Sequence, residues 1–227
     1  MGILRRTPVA QSIIQSVIQP MIRPVTVLLT TFETWLPHQA SNASDDLVCL
    51  WQSCLSDLAS TAIMPSGLES PGLESPQEAV LADSSLAVQI LHRLPVEAKA
   101  ACAEILQGVE LYQPDYVLVC GMAESRHCLS LEVRAVGGVA ARQTAYWTPI
   151  SLTKLYGLRK GLRRTGISYD AGRFVCNETY ARLLRQYRER ARFPRPLFLH
   201  VPLLTVENQM ELLDDFRQIL HFFAASP

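Results

Sequence analysis

The chain lacks a charge excess: 21 basic side chains balance 21 acidic ones across 227 residues. A nucleic acid or an anionic membrane surface attracts a basic surplus, so neither partner is expected. A long apolar run is also missing. In the first 24 residues Ile13, Ile14, Val17, Ile18, Met21 and Ile22 are interrupted by Gln11, Gln15, Gln19 and Pro20. That pattern excludes a signal peptide or a membrane span there and predicts a short amphipathic arm over 1–24, a candidate for homo-oligomer contacts. No CxxC pair occurs and the five histidines are scattered, so spacing supports no metal site. The six cysteines do not read as a disulfide framework either. Cys49, Cys54 and Cys102 fall at helical spacing among apolar residues and Cys120 ends a strand-like run, the pattern of free, buried thiols in a reducing cytoplasm.

What is present is an alternation of strand and helix patterns. Val25–Leu29, Ala87–Arg93, Tyr116–Cys120 and Leu197–His200 are short apolar, largely β-branched runs and predict buried strands. Leu129–Val136 reads as extended. Helices are predicted from Ser44, as the capping residue with Asp45 and Asp46 in the first turn, over Val96–Val109, Ser151–Arg164 and Arg173–Arg190, and over Val206–Phe223. A tandem GLESP repeat within 65–77 predicts a flexible surface loop. The alternation implies an α/β fold, a single three-layer α/β/α sandwich with a mixed, mostly parallel central sheet over 25–227. In such sheets chemistry gathers beyond the carboxyl ends of strands, where Phe32, Gly121 and His200 all fall.

The chemically most informative pair is Cys176 and His200. Ala171 and Gly172 form a small-residue turn leading into a helical pattern whose first turn carries Cys176. Twenty-four residues later the apolar run Pro196–Leu199 ends in His200. A helix N-terminus and an adjacent imidazolium both lower a thiol pKa, so the pair predicts a thiolate nucleophile with a histidine base.

Five stretches together resemble the pyroglutamyl-peptidase I (pyrrolidone-carboxylate peptidase) family of cysteine peptidases. Leu28–Trp35 is similar to the family's LLTGFEPF, and Asn42–Ser44 to its NPS. Pro114–Ala123, with Arg126, Leu129 and Glu132, resembles PDxVxxxGxAxxRxxIxxERxAxN. Ser168–Asn177 resembles SxxAGxYxCN, and Phe198–Pro202 resembles FIHxP. The resemblance implies a hydrolase that removes N-terminal pyroglutamyl residues from peptides, without a cofactor. Cys176 would be the nucleophile, His200 the base and Glu132 the residue orienting it, with Arg142 near the oxyanion. Phe32, Trp35 and Phe174 match aromatic positions flanking the pyroglutamyl ring.

The chain also departs from the family pattern. Val133 follows Glu132 where the family has arginine, Gly137 replaces an asparagine, and Leu36–Pro37 replaces Gly-Gly. Gln143 stands at an apolar pocket position, and the stretch after Arg142 is short. These changes keep an alternative open: a non-catalytic or re-specialised relative binding a different small molecule or partner in a remodelled pocket. Arg126 reads as a structural residue tying a loop, and Cys120, His127 and Cys128 as structural too.

Overall fold

The computed structural model describes residues 23–62, 78–80, 85–138 and 142–225. The repeat-bearing loop at 65–77 and the arm, apart from its last two residues, lie outside the described residues. The elements in chain order are β1 (Val25–Phe32), α1 (Ala43–Ala62), β2 (Glu78–Val80), β3 (Leu86–Leu94), α2 (Ala98–Tyr112), β4 (Tyr116–Met122), β5 (Leu129–Glu132), β6 (Arg134–Gly137), β7 (Thr144–Trp147), α3 (Leu152–Arg159), β8 (Thr165–Ser168), α4 (Val175–Glu189), β9 (Arg195–Val201) and α5 (Gln209–Ala224).

Seven strands form one sheet in the order β2-β3-β1-β4-β9-β5-β8, with β6 and β7 as a separate hairpin. β3, β1, β4 and β9 run parallel. β5 is antiparallel to β9 and parallel to β8, and β2 is antiparallel to β3, so the sheet is mixed and mostly parallel. The three strongest strand patterns of the sequence are immediate neighbours at its centre. Val27–Leu29, Val117–Cys120 and Leu197–Leu199 have no exposed surface, the result expected of strands covered on both faces.

Each sheet face has its own core. Leu47, Val48 and Trp51 of α1 and Leu212, Phe216 and Phe223 of α5 cover one face. Ala101 and Ile105 of α2 and Tyr180, Leu183 and Leu184 of α4 cover the other, against Leu28, Val119 and Phe198. The result is an α/β/α sandwich.

Three sequence expectations need correction. The cap of α1 is Asn42, not Ser44: its side-chain oxygen accepts from Ser44 N at 3.0 Å and Ser44 Oγ at 2.7 Å. The extended stretch 129–136 breaks at Val133, whose backbone leaves the sheet to begin the β6–β7 hairpin. The helix expected over Ser151–Arg164 stops at Arg159, and Thr165–Ser168 becomes an edge strand.

Asp215 of α5 accounts for that last break. Its buried carboxylate accepts from Arg163 N, Arg164 N and Thr165 Oγ1 at 2.7–3.0 Å, turning the chain out of the helix and into β8. Replacing Asp215 by Ala strands three donors. It is expected to cost on the order of 3 kcal/mol, because a buried donor left unpaired costs about 1–3 kcal/mol. Urea unfolding measures this; a lower midpoint at unchanged slope is the expected result, and a loss below about 1 kcal/mol would show that the turn holds without the carboxylate.

Candidate active site

Glu132 ends β5 and His200 lies near the end of β9, and the ladder between these strands sets Glu132 opposite Phe198 and Ser130 opposite His200. Residues two apart on a strand share a face, so Glu132 and His200 project to the same side of the sheet. Glu132 Oε1 lies 2.7 Å from His200 Nδ1, with Glu132 fully buried and His200 5% exposed.

Gly121 of β4 pairs with His200 in the adjacent parallel ladder. A Cβ at position 121 would lie 2.8 Å from the Phe198 ring and 3.0 Å from Cys176 Sγ. The glycine therefore vacates the space the thiol occupies, and the thiol sits over the strand pair that carries His200. That approach requires glycine.

α4 carries the thiol and is anchored from two sides. Asn177 brackets Val136 of β6, accepting from its N–H at 2.8 Å and donating to its C=O at 2.7 Å. Tyr180 Oη donates to the Glu132 carbonyl at 2.9 Å. The turn before the helix uses Gly172 at φ +85°, a conformation that side chains resist. At the helix start stands Phe174, whose ring cannot cap, and no side chain caps there. The first-turn amides thus have no intrahelical acceptor, and that of Cys176 faces its own thiol.

Arg126 belongs to this cluster. Its Nη2 lies 2.8 Å from Glu132 Oε1 and donates to Asp170 O at 2.7 Å, so one guanidinium joins the carboxylate to the loop preceding α4. The loop-tying role expected for Arg126 holds, and its contact with Glu132 was missed. The sequence did carry a signal for it: Arg126 precedes Glu132 by six residues within the matched stretch. Glu132 Oε1 receives both neighbours while Oε2, also buried, has no hydrogen-bond partner among the described residues.

The thiol differs from the sequence expectation. Burial, reinforced by the Glu132 charge, pushes the Cys176 pKa up to about 11, against the smaller lowering by its own backbone N–H and Arg126. Cys49 also departs from its reading, being exposed rather than buried.

The remaining predicted residues are spread more widely. Phe32 ends β1, buried, with its ring 6.5 Å from that of Phe198. Trp35 and Phe174 are 54% and 76% exposed, rim residues rather than closed walls. Arg142 and Gln143 are exposed in the short β6–β7 connection and make no hydrogen bond or ion pair among the described residues. Sequence reasoning also passed over an aromatic ledge beside the loop leading to α4. Trp147 and Tyr169 meet edge to face at 6.1 Å, and Tyr156 Oη lies 2.7 Å from Tyr169 Oη. A groove of about 590 Å³ lined by Asp115, Tyr187, Arg188 and Arg195 opens at the other end of β4 and β9, away from His200.

No protein-family model matches the chain. Among curated proteins, pyrrolidone-carboxylate peptidase of Vibrio vulnificus strain YJ016 is 29% identical over 130 residues, covering 49% of this chain and 60% of that protein. The Brevibacillus brevis pyrrolidone-carboxylate peptidase is 26% identical over 165 residues, covering 63% and 77%. The chain thus resembles pyrrolidone-carboxylate peptidases at 25–29% identity. Its match spans about three fifths of the length of the Vibrio relatives. The fold agrees with solved structures. Pyroglutamyl peptidase I from Bacillus amyloliquefaciens superposes with a TM-score of 0.64 at 18% identity, covering 88% of this chain and 95% of that one. Pyrrolidone carboxyl peptidase from Thermococcus litoralis gives 0.61 at 16%, covering 88% and 94%.

The raised thiol pKa has a direct consequence. A thiol near 11 stays protonated until strongly alkaline pH, so alkylation of Cys176 by iodoacetamide should climb roughly ten-fold per pH unit from about pH 7 to about pH 10 without levelling. Peptide mass spectrometry of the labelled protein follows this. A plateau reached below about pH 8 would instead reveal a resting thiolate–imidazolium pair.

Proposed function

We propose that the chain is a cysteine peptidase that hydrolyses the amide bond after an N-terminal pyroglutamyl residue, with Cys176 as nucleophile, His200 as proton carrier and Glu132 as its orienting carboxylate. The observation that carries the reading is the buried 2.7 Å contact between Glu132 and His200 beside a thiol seated over Gly121. Kinship with pyrrolidone-carboxylate peptidases supports the substrate class.

Glu132 occupies Nδ1, which leaves Nε2 of His200 to take the Cys176 proton as sulfur attacks the pyroglutamyl carbonyl. The first-turn amides of α4 are the donors suited to the tetrahedral oxyanion. Collapse returns the proton from His200 to the departing peptide amine and leaves a thioester on Cys176. His200 then deprotonates a water that attacks the thioester, releasing pyroglutamate and restoring the thiol. Because burial holds the free thiol neutral, proton transfer accompanies attack instead of preceding it. A flat, uncharged lactam suits the apolar surroundings of Phe32 and Phe198.

The exposure of Trp35, Phe174, Arg142 and Gln143 favours a second reading, a re-specialised thiol hydrolase acting on another acyl group. Release of a fluorophore from a pyroglutamyl amide under reducing conditions separates the two. The wild type is expected to turn over, and Cys176→Ala to lose on the order of 10⁴-fold or more, as nucleophile removal from a coupled unit does. A silent wild type whose Cys176 still reacts with iodoacetamide would sink the pyroglutamyl assignment and leave the hydrolase. A silent protein with an inert Cys176 would sink both and leave a binding role.

Arg126 acts here as a positioning residue. Arg126→Ala is expected to lower kcat by about ten-fold or more with a smaller change in KM, as supporting partners of a site commonly do, and Arg126→Lys to restore part of it. Steady-state kinetics on folded variants decide; equal losses in alanine and lysine variants would reduce Arg126 to a loop tie.

A further inference from the structure

Asp45, Cys49 and His92 form a cluster away from the Cys176 thiol, with one potential ligand atom from each lying within 4.8 Å of the others. From this juxtaposition we propose a second site, one that binds a thiophilic divalent cation, zinc being the best chemical match. A thiol, an imidazole and a carboxylate form a donor set that borderline-soft cations select over magnesium or calcium, which prefer all-oxygen shells.

The framework is rigid where a metal site needs it. Asp45 and Cys49 stand four residues apart in the first turns of α1, so their side chains share one helix face. His92 reaches that face from β3, with its Nδ1 2.7 Å from Asp45 Oδ1. Asp45 is itself oriented from behind. Thr31 Oγ1 donates to its Oδ1 at 2.7 Å, and the hydroxyl in turn accepts from Arg93 N at 2.9 Å, which fixes its direction. A hydrogen-bonded ligand held by a second ring of partners is the usual build of a metal centre. Cys49 is exposed, so a cation has an open path to the sulfur.

Tetrahedral zinc with bonds of about 2.0–2.3 Å sets its ligands about 3.3–3.8 Å apart, so on binding the 2.7 Å contact of Asp45 with His92 opens by about 0.6 Å while wider separations within the 4.8 Å cluster draw in. Rotation of the exposed Cys49 and half-exposed His92 side chains supplies that movement. The incoming cation displaces the thiol proton to solvent, and the His92 proton shared with Asp45 moves from Nδ1 to Nε2 so that Nδ1 can ligate. The thiolate and the Asp45 carboxylate then neutralise its two charges, with Asp46 adding negative potential and Arg93 opposing it. Three protein ligands leave a fourth position for water. Sequence spacing hid the site because His92 lies 47 residues beyond Asp45 and only the β1–β3 pairing brings them together.

The proposal is independent of the peptidase reading, and its test uses the full chain with Cys176→Ala so that the thiol beside His200 cannot answer. Cobalt(II) is titrated first, since a thiolate–cobalt bond gives a near-ultraviolet charge-transfer band. Zinc competition then yields the affinity. One equivalent should bind, with a zinc Kd below about 1 μM, and Thr31→Val should weaken it about ten-fold, the scale of losing a supporting partner. Adding Cys49→Ser should abolish the band, and adding His92→Ala should weaken binding at least as much as Thr31→Val. Circular dichroism confirms that each variant is folded. No band in the parent at stoichiometric cobalt would overturn the proposal. A band unchanged by both Cys49→Ser and His92→Ala would overturn it too, by placing the metal elsewhere.

Discussion

A carboxylate taken out of water at a strand end has to be met by charge and hydrogen bonds, and Glu132 sets that requirement for its whole neighbourhood. It has no exposed surface, and its Oε1 receives both Arg126 and His200. Dehydrating such a group costs several kcal/mol, which the pairing has to offset. The guanidinium that meets it also holds Asp170 O, and the tyrosine that meets its main-chain carbonyl belongs to α4. One buried residue therefore ties together β5, β9 and the loop before α4 through its carboxylate, and α4 through its main-chain carbonyl. The relative placement of the thiol and the imidazole follows from how that charge is satisfied.

Local features that look unfavourable in isolation make sense around this constraint. A phenylalanine at a helix start wastes the capping opportunity, yet it leaves the first-turn amides beside the thiol without a side-chain cap. A glycine inside β4 forfeits packing, yet a methyl group there would meet both the Phe198 ring and Cys176 Sγ. An asparagine in the first turn of a helix competes with helical bonding, yet Asn177 spends both its side-chain groups on Val136 and locks α4 to the β6–β7 hairpin. Such local concessions gather where a fold has something other than stability to provide.

The rim is a different matter from the floor. Beneath the thiol the packing is dense, with Phe198 against Phe32, Tyr180 and His200. Around it the short β6–β7 connection carries Arg142 and Gln143 into solvent, and Trp35 and Phe174 stand exposed. The family likeness is thus kept in the floor and loosened in the walls, which agrees with sequence identities of 25–29% to the curated relatives. On the other flank of β1, the same carboxyl-end rim supports the separate Asp45–Cys49–His92 cluster.

The sequence by itself determined the sandwich and the floor residues. Long, continuous apolar runs can only be strands buried on both faces, so the β1, β4 and β9 patterns were legible, and Cys176 and His200 stood out by their position at element ends. Short elements were not legible. β7 and β8 are four residues each, and β8 exists because Asp215, fifty residues away in the chain, captures the amides that precede it. The contact of Arg126 with Glu132 was hidden because it depends on where a loop folds back. The environment of the thiol was legible only in part for a related reason: the helix position favouring a thiolate is local, whereas the burial that opposes it is created by packing α4 onto β4 and β9. Periodicity records which face a residue turns to the core, but desolvation and pairing between distant residues exist only once the layers have closed.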